Sequence, residues 1–374
     1  MSTSLHVSFF MAAPTYGGAQ KVTITIANGL AERGHDVDLV VARLEGEFVS
    51  DISEEVTVVD LDAPSVPGIG LFAVIPRLRS YLAAENPAVM FACLTHANDV
   101  AVLASLGSNS STHVAVTEHL AFGADTELKK RITSAMAKYL YRYADDVVTV
   151  SAGVAESVAA NTHIDIADTT VLHNPIHVEE VKREAAASVD HDWFGSDDVS
   201  PIVSVGRLEP QKSLTTLLSA FDRVHDARPD TRLVVVGKGS ERDRLVDRTE
   251  RLGLSDVVDF PGFVDNPYAY MNGASVFALS SEFEGLPTVL IEALACGCTI
   301  VSTDCPHGPR EILDDGTYGR LTPVGDPDAL ADGILQALDD PTPVERCLER
   351  ADHFSMANSL DRYETYIRDV SDAR

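Results

Sequence analysis

The chain of 374 residues is poor in lysine: it has seven (Lys21, Lys129, Lys130, Lys138, Lys182, Lys212 and Lys238) beside 22 arginines. Its 29 basic residues face 57 acidic ones, a formal net charge of −28. Such a surface repels phosphate backbones, which excludes nucleic acid as a partner. The imbalance is the one that adaptation to high salt produces, as in halophilic archaea, where carboxylates keep protein soluble. Cysteine is also scarce. Five residues (Cys93, Cys296, Cys298, Cys305, Cys347), an odd number without framework spacing, exclude a disulfide scaffold and suit reduced thiols in a cytoplasm. Cys296, Cys298 and Cys305 with His307 do not have zinc-knuckle spacing, so no metal site is expected there. No apolar run reaches the roughly 20 residues that span a bilayer. The first residues, "MSTSLHVSFFMAAPTYGG", lack the charged region of a secretory signal. A cytoplasmic protein is expected, at most peripheral on a membrane.

The length is more than one hydrophobic core serves, so two domains are expected. Short apolar runs alternate with amphipathic segments, the pattern of parallel α/β units. "LHVSFFMA" reads as a strand, "GGAQKVTITIANGLAERGH" as turn and helix, and "DVDLVVAR" as the next strand. After "VLHNPI" a polar stretch intervenes, and the cycle restarts at "PIVSVGR". The expectation is two Rossmann-like lobes: residues 1–173, a connector at 174–200, a second lobe at 201–345, and closing helices at 346–374 that pack back towards the first lobe. Ligands in such sheets bind beyond the carboxyl ends of the strands.

Three stretches at expected strand ends carry chemistry. In "VGRLEPQK", Arg207 and Lys212 form either a surface pair or a phosphate clamp. "VVVGKGSERDRL" is a Gly-x-Gly turn whose third fingerprint position holds Arg242, which argues against a dinucleotide site. "SEFEGLPTVLIEALACG" places Glu284 in a loop, Pro287 at the first helical position and Glu292 in the helix's second turn. Eight residues at helical rise span roughly 12 Å, about the length of a ribose–diphosphate–sugar chain. The free amides of Gly285, Leu286, Pro287 and Thr288 (the proline excepted, having none) offer an anion site between two carboxylates. Spacing alone leaves two ordinary capping glutamates equally open.

Taken together, these stretches resemble the family-4 retaining glycosyltransferases of the GT-B fold, along nearly the whole chain. "EGLPTVLIEALACG" matches the family's Glu-x7-Glu motif at Glu284 and Glu292, and "GRLEPQK" its Arg…Lys diphosphate clamp. "FPGFVDNPYAYMNGASVFALSSEFEGLP" is similar to the segment that holds the base. "YGGAQKV" resembles the family's opening Gly-Gly loop, and "VTEH" puts His119 at the position of an active-site histidine. The resemblance implies roles by position. Arg207 and Lys212 neutralise the diphosphate, Glu292 holds the ribose, and Glu284 with the backbone of 285–288 holds sugar and phosphates. The main chain at Phe263 pairs with the base, and Gly17 and Gly18 let the backbone approach the phosphates. No cofactor beyond the nucleotide sugar and no metal are implied. "DCPHGPREIL" resembles a branch that transfers galactose or N-acetylhexosamines to lipid-linked acceptors, which implies a UDP-linked rather than a GDP-linked donor. With the high-salt composition, a dolichol-linked glycan for surface-glycoprotein N-glycosylation is the expected destination.

"KKRITSAMAKYLYR", residues 129–142, holds five basic residues and no acidic one. It reads either as a helix docked on the first lobe or as a patch that meets anionic lipid head groups on the inner membrane face. Two rival functions share the fold: a nucleotide-sugar epimerase and a non-catalytic nucleotide-sugar-binding subunit.

Overall fold

The computed structural model describes residues 4–15, 17–64, 70–119, 136–196 and 198–373. It consists of two compact units, one of residues 1–175 and 356–374, the other of 176–355. Each is built on one all-parallel sheet. That sheet class is buried on both faces, so its strands are near-continuous apolar runs instead of alternating ones.

In the first unit β1 (His6–Met11), β2 (Asp36–Val41), β3 (Thr57–Asp60), β4 (Val89–Cys93), β5 (His113–Glu118), β6 (Asp146–Thr149) and β7 (Thr169–Val171) lie in the order β3-β2-β1-β4-β5-β6-β7. The chain steps outward from β1 through β2 to β3, then returns to β1's other side at β4. The junction of β1 and β4 is therefore the topological switch point, where open α/β sheets bind ligands. Gly17 and Gly18 follow β1, and His119 follows β5.

The closing helix Met356–Asp372 belongs to this unit. Leu360, Tyr363, Tyr366 and Ile367 join Ile24, Leu30 and Phe91 in one core. Arg33 Nη1 donates to Asp361 at 2.6 Å and to Glu364 at 3.2 Å. A Cβ on Gly29 would lie 2.6 Å from Leu360 Cδ1, so the glycine lets the two helices approach.

In the second unit β8 (Ser200–Val205), β9 (Thr231–Val236), β10 (Val258–Gly262), β11 (Val276–Leu279), β12 (Ile300–Thr303) and β13 (Arg320–Thr322) lie in the order β10-β9-β8-β11-β12-β13. Its switch point is between β8 and β11. Pro261, which has no amide hydrogen for a ladder, sits in the edge strand β10, where the pairing register shifts between Asp259 and Gly262.

Two expected boundaries move. The segment 174–200 is not a bare connector: the second unit begins at Ile176 and contains the helix Val178–Ala185, whose Val178, Val181 and Ala185 are buried. The closing helices do not act as one block from residue 346. The helix Val344–Asp352 stays with the second unit because Cys347 Sγ donates to Cys298 O at 3.2 Å and Arg350 donates to Ile312 O and Glu311 O at 2.7 and 2.6 Å.

Candidate functional site

The second unit's switch point carries a polar cluster. β8 ends at Val205, and the next residues are Gly206 and Arg207. Chain direction then reverses through the short turn Pro210–Lys212. β11 ends at Leu279 and runs into Ser280, Ser281 and Glu284. Side chains and backbone bind the two ends together. Ser280 Oγ donates to Lys212 O at 2.8 Å, Glu282 N to Gln211 O at 2.9 Å, and Gln211 Nε2 to Phe283 O at 2.8 Å.

This frame brings Lys212 and Glu284 into contact. Lys212 Nζ donates to Glu284 Oε1 at 2.6 Å, and Ser281 Oγ donates to the same oxygen at 2.6 Å. Among the described residues Oε2 has only a 3.4 Å contact with Gln211 Nε2 and is the freer acceptor. The side chains are 15% and 9% exposed, so the pair is largely out of water. Arg207 is exposed and lines the same recess as Lys212, with Gly206, Leu279 and Ser280.

The loop after Glu284 is held from the other side. Glu284 N donates to Pro306 O at 3.1 Å, and Thr303 Oγ1 to Ser281 O at 2.7 Å. Gly308 adopts φ +96, and a Cβ there would stand 2.4 Å from Pro287 Cδ and 2.9 Å from Gly285 O. A side chain at this position is thus excluded both by conformation and by the 285–287 loop. The helix that follows runs Thr288–Ala295, so Pro287 is its N-cap and not its first helical residue. Gly285, Leu286 and Pro287 are buried and Thr288 partly so. Glu292 lies in the second turn, half-buried; its charge, after burial itself, raises the Tyr268 hydroxyl, and Cys296 is pushed up to about 12 for the same two reasons.

The Gly-Lys-Gly turn after β9 proves to be more than a tight turn. Gly237 N donates to Gly262 O at 2.8 Å, Gly206 N to Val236 O at 3.0 Å, and Leu208 N to Lys238 O at 2.9 Å. A Cβ on Gly237, whose φ is +142, would fall 1.8 Å from Gly206 O, and one on Gly239 would fall 2.3 Å from Leu208 O. Both glycines are needed because the β9 loop lies directly on the backbone that carries Arg207. Phe263 follows β10, on the far side of β9 from this cluster, and is 65% exposed.

The first unit's candidates are at its own strand ends. Gly17 is the N-cap of the helix Gly18–Glu32 in ordinary extended backbone, φ 169. Among the described residues a Cβ on Gly18 would meet nothing within 4 Å, whereas one on Gly17 would stand 2.3 Å from Gln20 Oε1. His119 Nε2 is 3.8 Å from Cys93 Sγ, while its buried Nδ1 has no partner among the described residues. Burial lowers its pKa to about 4, so it is a neutral imidazole near pH 7.

Beside it lies a network that motif reading missed. Glu118 is buried within the apolar end of β5, where it accepts from Tyr141 Oη, from Thr95 Oγ1 at 3.1 Å and from Asn98 Nδ2 at 3.2 Å. Burial pushes its pKa up to about 7 against the lowering effect of those donors. Asp99 is fully buried, and neither carboxylate oxygen has a partner among the described residues. Burial, then the Glu118 charge, pushes it up to about 8. The available sequence signal was a carboxylate inside each of two apolar runs, "HVAVTE" and "THANDVAVLA".

Of the basic stretch at 129–142, residues 129–135 lie outside the described residues. The remainder is helical from 136 to 140, with Tyr139 55% exposed, and the Arg142 guanidinium lies 4.8 Å from the ring centroid of Tyr143, the residue after the stretch.

Two family models match the chain. Residues 16–180 match Glycosyltransferase Family 4, and residues 194–354 match Glycosyl transferases group 1. An N-acetylgalactosamine-N,N'-diacetylbacillosaminyl-diphospho-undecaprenol 4-alpha-N-acetylgalactosaminyltransferase from Campylobacter jejuni is 29% identical over 334 residues, 87% of each chain. A second Campylobacter jejuni protein, the alpha-1,4-N-acetyl-D-galactosaminyltransferase acting on GalNAc-alpha-(1->4)-GalNAc-alpha-(1->3)-diNAcBac-PP-undecaprenol, is 25% identical across 99% of this chain and 100% of its own. Among solved structures, the lipopolysaccharide outer core galactosyltransferase WaaB in its apo form superposes with a TM-score of 0.79 at 17% identity, covering 98% of this chain and 99% of that one. The Anabaena protein HepE in complex with UDP superposes with a TM-score of 0.79 at 19% identity, covering 98% and 100%.

Proposed function

We propose that this chain, a glycosyltransferase whose halves are the family 4 and group 1 domains of the GT-B fold, moves a hexose or N-acetylhexosamine from a UDP-linked donor to a lipid-linked glycan with retention of the anomeric configuration. The observation that carries this reading is the largely buried Lys212–Glu284 pair at the switch point, beside Arg207 and the loop leading into the helix Thr288–Ala295. An ammonium has three donors, and only one is engaged by Glu284 Oε1. The carboxylate therefore fixes Lys212 in place while leaving it free to meet a phosphate. Arg207 supplies a second charge. Together they stabilise the diphosphate as it leaves, the charge that a divalent ion supplies in other transferases.

Glu284 Oε2, the freer oxygen, accepts from a sugar hydroxyl, and Glu292 from the ribose. Gly17 and Gly18, at the start of the helix after β1, let the backbone there approach a phosphate or acceptor, and neutral His119 offers an acceptor to a sugar hydroxyl. The departing phosphate takes the acceptor hydroxyl's proton on the same face of the sugar, which preserves configuration. The Campylobacter relatives act on diphospho-undecaprenol glycans; in a chain of net −28, suited to high salt, the corresponding lipid is a dolichol-type carrier serving surface-glycoprotein N-glycosylation.

Transfer from labelled UDP- and GDP-sugars into a lipid extract at high salt tests the reading, with Arg207→Ala as control. The expected result is label from one UDP-sugar in the lipid fraction, lost in the variant. Donor isomerised without acceptor marks an epimerase instead. Nucleotide bound but never turned over marks a binding subunit.

A lipid acceptor calls for work at the inner membrane face, and the basic stretch at 129–142, whose Tyr139 is exposed, is proposed to meet anionic head groups there. A Lys129/Lys130/Arg131→Ala variant is expected to float with anionic liposomes several-fold less than the unaltered protein. Equal flotation rejects this surface.

A further inference from the structure

Lys238 is one of seven lysines in a chain with 57 acidic residues, and its Nζ lies over the Phe263 ring, 5.3 Å from the centroid, with no carboxylate partner among the described residues. Both side chains are exposed, yet both stand on fixed backbone. Lys238 O accepts from Leu208 N, and Gly237 N donates to Gly262 O, the residue before Phe263. The loops ending β8, β9 and β10 are thereby stitched into one ledge, with Arg207 at one end and Phe263 at the other. A 65% exposed ring beside an ammonium with no carboxylate partner among the described residues, at the carboxyl ends of parallel strands, suits a flat ligand with acceptor oxygens at its edge.

We propose that Lys238 is a specificity-determining residue for the donor's nucleobase: the base packs on Phe263 and Lys238 donates to its exocyclic oxygen. This rests on the second unit being the nucleotide-sugar site. An ammonium has donors only. It favours a keto edge, as in uracil or guanine, and meets a second donor in the amino group of cytosine or adenine. Discrimination of this kind arises as much from the mismatch against the wrong base as from the bond to the right one.

Calorimetric titrations at high salt with the pairs UDP/CDP and GDP/ADP test the assignment on the unaltered protein, Lys238→Met and Lys212→Ala. Methionine keeps an apolar stem on the ring and removes the charge. The unaltered protein is expected to prefer UDP over CDP, or GDP over ADP if guanosine is its nucleotide, by about tenfold or more. Lys238→Met is expected to reduce that preference to about twofold, mainly by weaker binding of the keto base, whereas Lys212→Ala weakens both members of a pair alike. A preference that survives Lys238→Met, or none in the unaltered protein, overturns the assignment. If Lys212→Ala still loses affinity in that case, the nucleotide-site reading stands without it. An unaltered protein that binds none of the four overturns that reading as well.

Discussion

Lys212→Ala is expected to lower turnover on the order of 10²-fold or more with the second unit still folded, whereas Glu284→Ala loses turnover to a similar degree and stability as well. The asymmetry follows from what each change leaves behind. Without Lys212, the Glu284 carboxylate keeps the Ser281 hydroxyl at 2.6 Å and the Gln211 amide at 3.4 Å. Without Glu284, an ammonium only 15% exposed loses its one strong acceptor among the described residues. Stranding a group of that kind costs about 2 kcal/mol, which lowers the melting temperature of a unit this size by about 5 °C. Glu284→Gln retains an acceptor for the ammonium and is expected to recover much of the stability while staying slow. The double variant is expected to be more stable than the sum of its parts, because removing both partners strands neither. Melting curves and donor turnover, measured at one salt concentration, check all four proteins. Normal turnover by Lys212→Ala removes it from the site, and a Glu284→Ala protein that melts at the unaltered temperature shows the pair to be no support for the fold.

The parts of this site that could be read from the sequence are those in which neighbours along the chain are neighbours in space. "EGLPTVLIEALACG" placed Glu284 in a loop and Glu292 one turn into a helix because loop, cap and helix are local events. The strands were legible for the same reason: "LHVSFFMA" and "PIVSVGR" are uniform apolar runs, as β1 and β8 require on both faces. Pairings across long separations were not legible. Nothing near Lys212 in the sequence says that Glu284, 72 residues on, is its partner. Ser280 and Ser281 look like loop filler until their hydroxyls are seen holding Lys212 O and Glu284 Oε1. Gly237 looked like an ordinary turn residue, since only the packed loop shows Gly206 O where its Cβ would be. The boundary at 355/356 was hidden because the helices Val344–Asp352 and Met356–Asp372 are both amphipathic, and which core each apolar face meets is a tertiary matter.

The first unit is expected to lose stability as pH rises from about 4 to about 8, through Glu118 and Asp99. Both carboxyls are raised on folding, to about 7 and about 8 from unfolded values near 4.5 and 3.8. Between those limits the folded protein keeps protons that the unfolded chain releases, so each pH unit removes about 1.4 kcal/mol per group still protonated when folded. The contribution is complete below pH 4, fades through the window, and is gone above pH 8. Glu118 has hydrogen-bond donors that tolerate its ionisation; Asp99 has none among the described residues, so its effect is the larger. Asp99→Asn keeps the shape and cannot ionise. Its melting temperature is expected to match the unaltered protein near pH 4 and to exceed it near pH 8, where the difference reaches a few kcal/mol. Comparing the two proteins across pH cancels the repulsion that a net charge of −28 imposes on both. Parallel curves from pH 4 to 8 would show that Asp99 ionises in the folded protein as freely as in the unfolded chain. A difference that widens steadily from pH 4 to pH 8 would locate the proton on Asp99, in the network beside His119.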